Sequence, residues 1–332
     1  MRHALLRLTA LAFAASLAFA AWIAWFAVTP VELGASPTDF SIRRGSGLRG
    51  ATRQIVEAGI AMPAWKFNLL GKLLSSETKI KAGSYEVTAG VTPWQLMQKI
   101  TQGDFAQSEV VFIEGWTFRQ VRAALDAHAF IRHDTTALAD AELMRRLGAD
   151  GTVPEGRFFP DTYVFGKGES DLNILGRAYH AMQKRLQSAW QQRASDSPLA
   201  SPYEALILAS IVEKETGQAS ERQLIAGVFV NRLRAGMKLQ TDPTVIYGIG
   251  ETFDGNLRKR DLVTDTPFNT YTRVGLPPHP IALPGQASLS AAVNPARTDA
   301  MYFVARGDGT SVFSRSLDDH NRAVSKYQKG GR

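Results

Sequence analysis

The chain opens with a long apolar stretch. Residues 9–28 contain no charged side chain and are almost wholly apolar, with Trp22 and Trp25 near the far end. As a helix, these residues would span about 30 Å, which is the thickness of the hydrocarbon core of a bilayer. We therefore predict a transmembrane helix at residues 9–28, preceded by a cytoplasmic N-terminus at residues 1–8.

Charge around this stretch predicts its orientation. Arg2, His3 and Arg7 precede it and few basic residues follow it, which favours a cytoplasmic N-terminus and a body outside the cytoplasm. The alternative is a cleaved signal peptide, because residues 18–20 (AFA) resemble a small-x-small cleavage site. Apolar sequence continues past that site, which favours the anchor. Both interpretations place the main body outside the cytoplasm.

The pattern after the apolar stretch predicts a linker and then a small αβ module. Residues 29–37 contain two prolines and a glycine, as a linker does. Within residues 38–107, strands are expected near residues 41–47 and 82–87, and an amphipathic helix is expected from Leu48. A second helix should begin at Thr92, because Pro93 and Gln95 complete a capping box with it.

Residues 108–332 alternate helical patterns with short strands and proline-rich loops, and no internal repeat is present. The predicted fold class is α+β, with one transmembrane helix, a small αβ module and a larger mixed α/β domain.

One helix carries a carboxyl group on its apolar side. Residues 201–204 (SPYE) form a strong helix start, and Gly217 supplies the stop. At 100° per residue, Glu215 falls in one apolar stripe with Leu208, Ile211 and Val212. Burial and the negative end of the helix dipole should both raise the pKa of Glu215, as a general acid requires.

One other interpretation of Glu215 remains open. Glu215 could end the stripe at the surface and pair with a Lys or Arg. Glu213 lies on the polar face and is expected to be a solvated charge.

A second helix should start with Ser220 as its cap and end at Gly236, folding back against the first. The following loop, residues 239–248, would line a polar cleft beside Glu215.

Composition limits the cofactors and partners that this chain is expected to bind. The chain has no cysteine and six scattered histidines, so we expect no metal and no cofactor. Its net charge of +7 suits anionic partners, but the basic residues are spread out rather than clustered with aromatics. We therefore expect no nucleic-acid partner.

The chain resembles the endolytic murein transglycosylases of the MltG or YceG type. The matching segments are residues 209–216, 228–233, 239–248, 269–271, 275–278 and 302–305, with residues 156–163 upstream and a weaker match to a LysM-like subdomain at residues 38–107. The resemblance implies a YceG-like catalytic domain at residues 108–332. It also implies a lyase that cuts the β-1,4 bond between N-acetylmuramic acid (MurNAc) and N-acetylglucosamine (GlcNAc) within glycan strands and leaves 1,6-anhydro ends.

In the family motif the second glutamate of EKET is catalytic, and it corresponds to Glu215. A transglycosylase can use the C6 hydroxyl of its substrate as the nucleophile, so one carboxyl group can serve as acid and then as base. Candidate substrate-binding residues are Gln240, Asp242, Tyr247, Asn269 and Tyr271, although structural hydrogen bonding is an equal alternative for each. Three aromatic residues, Phe158, Phe159 and Tyr163, are expected in the core rather than stacked on sugars.

The resemblance implies a single-pass protein of the bacterial inner (plasma) membrane. Its catalytic domain would lie in the periplasm, bind peptidoglycan glycan strands and take part in cell wall biogenesis, where a complex with the wall-synthesis machinery could terminate nascent strands. Two alternatives remain. A muramidase would use water and need Asp242 or Glu213 as a second carboxylate. A non-catalytic wall-binding scaffold would not need Glu215 at all.

Overall fold

The computed structural model describes residues 2–215 and 218–328. These residues form two compact units. The first unit comprises residues 2–109, 130–132 and 164–169, and the second comprises the remaining described residues. The mixture of helices with two-stranded sheets agrees with the predicted α+β class.

The first unit consists of an N-terminal helix followed by short helices and strands. In chain order these are α1 (Arg2–Val28), β1 (Glu32–Leu33), β2 (Thr38–Ile42), α2 (Leu48–Glu57), β3 (Ile60–Ala61), α3 (Ala64–Leu73), β4 (Gly83–Val87) and α4 (Pro93–Gln102). Two further strands, β5 (Gln107–Val111) and β6 (Thr162–Gly166), pair with each other.

Helix α1 contains the predicted membrane span. Residues Leu6–Val28 are long and apolar enough to cross a membrane. The last turns of α1 pack against the folded part of the first unit, where Ile23, Phe26 and Ala27 are buried in its core. The segment predicted as a linker contains β1, which pairs antiparallel with β3.

The core of the first unit lies under an antiparallel pair of strands. Strands β2 and β4 pair from Thr38 opposite Val87 to Ile42 opposite Gly83. Alternate residues of β2 point inward, and Phe40 stacks on Tyr85 with ring centroids 5.2 Å apart. The strand expected at residues 82–87 and the helix from Leu48 are confirmed, whereas the strand expected near residues 41–47 lies earlier, at Thr38–Ile42, and is followed by a turn.

The predicted capping box at the start of α4 is confirmed. The Gln95 N–H donates to Thr92 Oγ1 at 3.3 Å, and the Thr92 N–H donates to Gln95 Oε1 at 3.0 Å. Pro93 occupies the first helical position, where a missing N–H costs nothing.

The second unit is mainly helical. Its elements are α5 (Phe118–Asp126), α6 (Asp140–Arg146), α7 (Asp171–Gln191), α8 (Pro202–Glu215), α9 (Arg222–Arg234), α10 (Asp242–Ile249), a 3-10 turn (Gly250–Thr252), α11 (Lys259–Val263), α12 (Gln286–Val293), β7 (Tyr302–Ala305), β8 (Ser311–Ser314) and α13 (Leu317–Tyr327). Strands β7 and β8 form an antiparallel hairpin.

Helix α8 is the centre of this unit. Residues 205–212 are all buried, and α8 packs against α7, α9, α10 and α12. It is therefore enclosed on every side over this stretch, rather than on one stripe as predicted, which agrees with its nearly uninterrupted apolar sequence. Its start is confirmed, since Ser201 Oγ accepts from the Glu204 N–H at 3.2 Å. The predicted stop, Gly217, lies outside the described residues.

Helix α9 starts one residue later than predicted. Its cap is Glu221 rather than Ser220, and the Glu221 carboxylate instead accepts hydrogen bonds from the N–H and hydroxyl of Ser311 at 2.7 and 2.8 Å. The predicted end is confirmed. Gly236 has φ 64°, and the N–H of Met237 reaches back to the Arg232 carbonyl at 2.8 Å, as in a Schellman motif.

Candidate active site

A cavity of about 500 Å³ opens in the second unit at the C-terminal end of α8. Glu215 lies in its wall. The cavity is also lined by Arg232, Gln240, Asp242 and Tyr271, and by the C-terminal residues Tyr302, Phe303, Val304, Ala305, Ser311, Leu317, His320, Val324 and Gln328. Pockets that hold small ligands commonly have volumes of about 300–1,000 Å³.

Glu215 is half-buried and hydrogen-bonded. The hydroxyl of Thr241 donates to Glu215 Oε1. The pKa of Glu215 is raised to about 7, mainly by burial and to a lesser extent by the charge of Asp242, while the Thr241 hydrogen bond and the charge of Arg232 oppose the shift. The predicted direction of the pKa shift is confirmed. A carboxyl group with this pKa holds its proton for a large part of the time near neutral pH.

Arg232 is a fixed cation beside Glu215. Its side chain is buried, with Nε donating to the Met301 carbonyl at 2.7 Å and Nη1 donating to the Leu239 carbonyl at 2.6 Å. These bonds hold the guanidinium group in place without neutralising its charge. Arg232 is not among the residues predicted from the sequence, although a charged residue among the apolar positions of a helix is a signal of a buried charge.

Asp242 and Tyr271 share the cavity with Glu215. The Tyr271 hydroxyl donates to Asp242 Oδ1 at 2.6 Å, and burial raises the pKa of Tyr271. Gln240 is exposed on the loop before α10, in the left-handed backbone region at φ 50°. Three of the five predicted substrate-binding residues, Gln240, Asp242 and Tyr271, therefore line the same cavity as Glu215.

The other two predicted binding residues lie elsewhere. Tyr247 lines a neighbouring cavity of about 540 Å³, and its hydroxyl donates to Glu155 Oε2 at 3.1 Å. Asn269 is fully buried. Its amide group donates to the carbonyls of Asp261, Leu262 and Thr264, and its Oδ1 accepts from the Tyr271 N–H at 2.8 Å. Asn269 thus holds the backbone next to Tyr271.

Glu155 is a buried carboxyl group that the sequence analysis missed. It accepts hydrogen bonds from the Phe118 N–H at 3.0 Å and from Tyr247. Burial raises the pKa of Glu155 to about 7, against the lowering effect of these bonds. Its contacts connect the first residue of α5 to α10, so it helps to fix the helix that begins at Asp242.

The expectation that Glu213 is a solvated charge is wrong. Its side chain is only 6% exposed, its Oε2 accepts from the Gly285 N–H at 2.9 Å, and its Oε1 lies 3.5 Å from Arg222 Nη2. The reason lies in the tertiary structure, because Gly285 and Arg222, which belong to other segments, contact the Glu213 side chain. Glu213 does not line the cavity that contains Glu215.

The predicted core aromatics are confirmed as core. Phe158, Phe159 and Tyr163 are all buried, and the Tyr163 hydroxyl donates to the Phe159 carbonyl at 2.7 Å. None of them lines the Glu215 cavity. Across residues 2–215 and 218–328, no cluster of three or more His, Cys, Asp or Glu side chains is placed to hold a metal ion.

Comparison with known proteins identifies the family. Residues 40–326 match the YceG-like family, and this range includes most of the first unit and every residue described as lining the Glu215 cavity except Gln328. The chain belongs to the YceG-like family. This confirms the resemblance that the sequence motifs indicated.

Two relatives of this YceG-like chain carry the same functional name. A Bacillus subtilis (strain 168) protein named endolytic murein transglycosylase is 33% identical over 264 residues, covering 74% of this chain and 73% of the relative. A Streptococcus pneumoniae (serotype 2, strain D39) protein of that name is 27% identical over 319 residues, covering 86% of this chain and 57% of the relative. The chain thus spans little more than half of the pneumococcal protein.

A solved structure of the same family has a similar fold. The 2.6 Å crystal structure of a YceG-like protein from Listeria monocytogenes matches with a TM-score of 0.52 and 27% identity. The match covers 86% of this chain and 98% of the Listeria chain.

Proposed function

We propose that this chain is an endolytic murein transglycosylase. It would cleave the β-1,4 bond between MurNAc and GlcNAc within peptidoglycan strands and leave a 1,6-anhydro-MurNAc end. The observation that carries the proposal is Glu215, a carboxyl group with its pKa raised to about 7 in a cavity of about 500 Å³. Two relatives named for this activity support it.

Glu215 is proposed to act first as an acid and then as a base. Its protonated carboxyl group donates a proton to the leaving glycosidic oxygen as the bond to C1 of MurNAc breaks. The resulting carboxylate accepts the proton of the MurNAc C6 hydroxyl, whose oxygen bonds to C1 and closes the anhydro ring. The ring closure is intramolecular, so it gains effective molarity, and water is not consumed.

The neighbours of Glu215 suit this cycle. The Thr241 hydroxyl donates to the carboxylate form, and the Arg232 guanidinium group stabilises the same form through its charge. Burial and Asp242 favour the protonated form. These opposing influences leave the pKa of Glu215 near neutral, so one group can both lose and regain a proton at neutral pH.

A muramidase would need a second carboxylate in this cavity besides that of Glu215. Asp242 is the other acidic side chain among the described residues that line it, whereas Glu213 is bonded to Gly285 and paired with Arg222 outside it. A hydrolase would need Asp242 to activate water or to attack the sugar. Asp242 already accepts the Tyr271 hydrogen bond and begins α10, which favours a role in binding the substrate over one in activating water.

Substrate contacts are proposed for Gln240, Asp242 and Tyr271. All three reach the Glu215 cavity and offer hydrogen-bonding groups to hydroxyl and N-acetyl substituents. Tyr247 and Asn269 are proposed to position the cavity from outside it, Tyr247 through α10 and Asn269 through the backbone at Tyr271.

The location and the domain roles are also proposals. Residues 9–28 within α1 would anchor the chain in the bacterial inner membrane, with residues 1–8 in the cytoplasm and the catalytic domain, residues 108–332, in the periplasm. After residues 29–37, the module at residues 38–107 would act as a LysM-like subdomain. An association with the wall-synthesis machinery would let the enzyme terminate nascent strands.

The test is product analysis with the full chain in detergent. Purified glycan strands would be digested, and the fragments would be identified by mass spectrometry. Internal fragments with anhydro ends should appear with the parent and with Glu57→Gln, an exposed carboxylate in the first unit, and should be absent with Glu215→Gln. Ordinary reducing ends would indicate a muramidase, and products that persist in Glu215→Gln would contradict the assignment of Glu215.

A further inference from the structure

Aromatic and cationic side chains gather where α1 meets α3. The rings of Trp22 and Trp65 stack with centroids 5.6 Å apart and an angle of 26° between their planes. The Lys66 ammonium group lies 5.0 Å from the Trp22 centroid and 5.7 Å from those of Phe26 and Trp65. Trp25 lies one turn from Trp22 on α1. We call Trp22, Trp25, Trp65 and Lys66 the tryptophan–lysine cluster.

The cluster is open to its surroundings. The side chains of Trp65 and Trp25 are 59% and 64% exposed. Cores normally enclose large aromatic rings, so two exposed tryptophans beside an apolar helix indicate a partner surface. Trp25 and Trp22 belong to α1 itself, whereas Trp65 is contributed by the folded part of the first unit.

The position of Trp22 along α1 sets the depth of Trp65 in a membrane. The proposed span, residues 9–28, has 20 residues, which at 1.5 Å per residue is about 30 Å, the thickness of the hydrocarbon core. The outer boundary therefore lies near Val28, and Trp22 lies about 9 Å inside it. Trp65, stacked on Trp22, must then lie among the outer acyl chains.

The chemistry of the cluster fits that boundary. Tryptophan rings are enriched where acyl chains meet headgroups, because one end of the ring system is apolar and the N–H needs a polar partner. The Lys66 stem can cover the rings while its ammonium group reaches lipid phosphates. An ammonium group over aromatic faces also gains from the ring quadrupoles when water is excluded.

The connection between α1 and the rest of the first unit is short and fixed. The Val31 N–H donates to the Val91 carbonyl at 2.9 Å, and the Gly34 N–H donates to the Gly59 carbonyl at 3.0 Å. Strand β1 pairs with β3 in the same segment. Since Phe26 is also buried in the core, no flexible linker separates α1 from the rest of the first unit.

We propose that the first unit docks on the outer membrane surface through the tryptophan–lysine cluster. Trp65 lies among the outer acyl chains, and the Lys66 ammonium group, held over the rings, points toward the lipid phosphates. The docking rests on the proposed function, since it requires α1 to span the membrane. It adds that the folded first unit itself enters the interface, rather than standing away from the membrane on a flexible tether.

Site-directed spin labelling of the full chain tests the docking. Because the sequence has no cysteine, each single substitution gives one labelled site. Labels would be placed by Trp65→Cys in the cluster, by Leu11→Cys in the exposed middle of α1 and by Arg53→Cys on the exposed side of α2. The protein would be inserted in vesicles of phosphatidylethanolamine and phosphatidylglycerol, and collisions with oxygen and with a water-soluble nickel complex would be measured.

The docking predicts that the Trp65 label loses nickel-complex collisions and keeps oxygen collisions, as the Leu11 label does, while the Arg53 label stays accessible to nickel. A Trp65 label as accessible to nickel as the Arg53 label, with Leu11 protected, would overturn the docking and leave the anchor standing. A Leu11 label accessible to nickel would refute the anchor and the docking together.

A second measurement uses native side chains, because the spin label at residue 65 replaces the ring of Trp65. Brominated lipids quench tryptophan fluorescence on contact, so vesicles that contain them should quench the full chain more than they quench its Trp65→Phe variant. Equal fractional quenching of the two proteins would contradict the docking.

Discussion

Removing the Thr241 hydroxyl should move the pH dependence of catalysis upward. This hydroxyl donates to Glu215 Oε1 and lowers the pKa of Glu215. In Thr241→Val the β-branched shape is kept and the donor is lost. The backbone N–H of residue 241, which donates to Thr270 Oγ1 at 3.0 Å, is unaffected by the change.

The size of the effect follows from the strength of the bond. A hydrogen bond to a charged group contributes about 1.5–3 kcal/mol, and about 1.4 kcal/mol corresponds to a tenfold change in a protonation equilibrium. Loss of the bond should therefore raise the pKa of Glu215. Because the protonated acid starts the reaction, activity falls as pH rises through this pKa, and the alkaline limb should move up by about one to two pH units.

The assay is the initial rate of fragment release from glycan strands across the pH range, expressed as kcat/KM. Thr241→Ser is the matched control, because it keeps the donor and should keep the parent profile. An alkaline limb for Thr241→Val that coincides with that of the parent, or that lies at lower pH, would refute the assignment of Glu215 as the titrating acid.

Three further changes test other parts of the account. Glu215→Gln should stabilise the protein by up to about 3 kcal/mol above pH 7 and have no effect below pH 4, because a folded-state pKa of about 7, against an ordinary 4.5, lowers the stability of the parent as pH rises between these values. Thermal unfolding in detergent across this pH range measures the difference. Tyr247→Phe should lower the free energy of unfolding by about 1 kcal/mol through its lost bond to Glu155 and leave KM unchanged; a raised KM would instead mean that Tyr247 binds substrate. Tyr271→Phe, which leaves Asp242 without its donor, should reduce kcat/KM about tenfold in initial-rate assays, and an unchanged value would remove Tyr271 from the site.

The helix of Glu215 could be predicted because its signals are local. Ser201 and Glu204 begin α8, and the apolar run continues almost to Glu215. The sequence also predicted the raised pKa, since burial of the last turn follows from that run. Glu213 could not be predicted, because the segments that cover it, including Gly285, come from far along the chain.

Polar residues predicted to line one cleft are divided between two cavities, because residues 242–249 form helix α10 where a loop was predicted. Asp242 and Tyr247 both lie in α10, five residues apart. At 100° per residue their side chains point about 140° away from each other, so one faces the Glu215 cavity and the other faces Glu155. The helical conformation of residues 242–249 therefore separates the side chains of Asp242 and Tyr247.

The far wall of the cavity could not be found from local patterns. Tyr302, Ser311 and His320 lie on β7, β8 and α13, about 90 to 105 residues after Glu215 along the chain. Arg232 is buried in α9, and its role depends on carbonyl groups at Leu239 and Met301 that only the tertiary fold brings to it. Such contacts leave no periodic signal in the sequence.

The most direct test of the central claim is the source of the oxygen at the new chain end. The full chain would digest glycan strands in water enriched in oxygen-18, and mass spectrometry would follow the fragments. If Glu215 delivers the substrate's own C6 hydroxyl to C1, the new ends carry no heavy oxygen and lack the elements of water. Reducing ends that carry one heavy oxygen would contradict the account, because they would show that water is the nucleophile and that a second group, such as Asp242, must activate it.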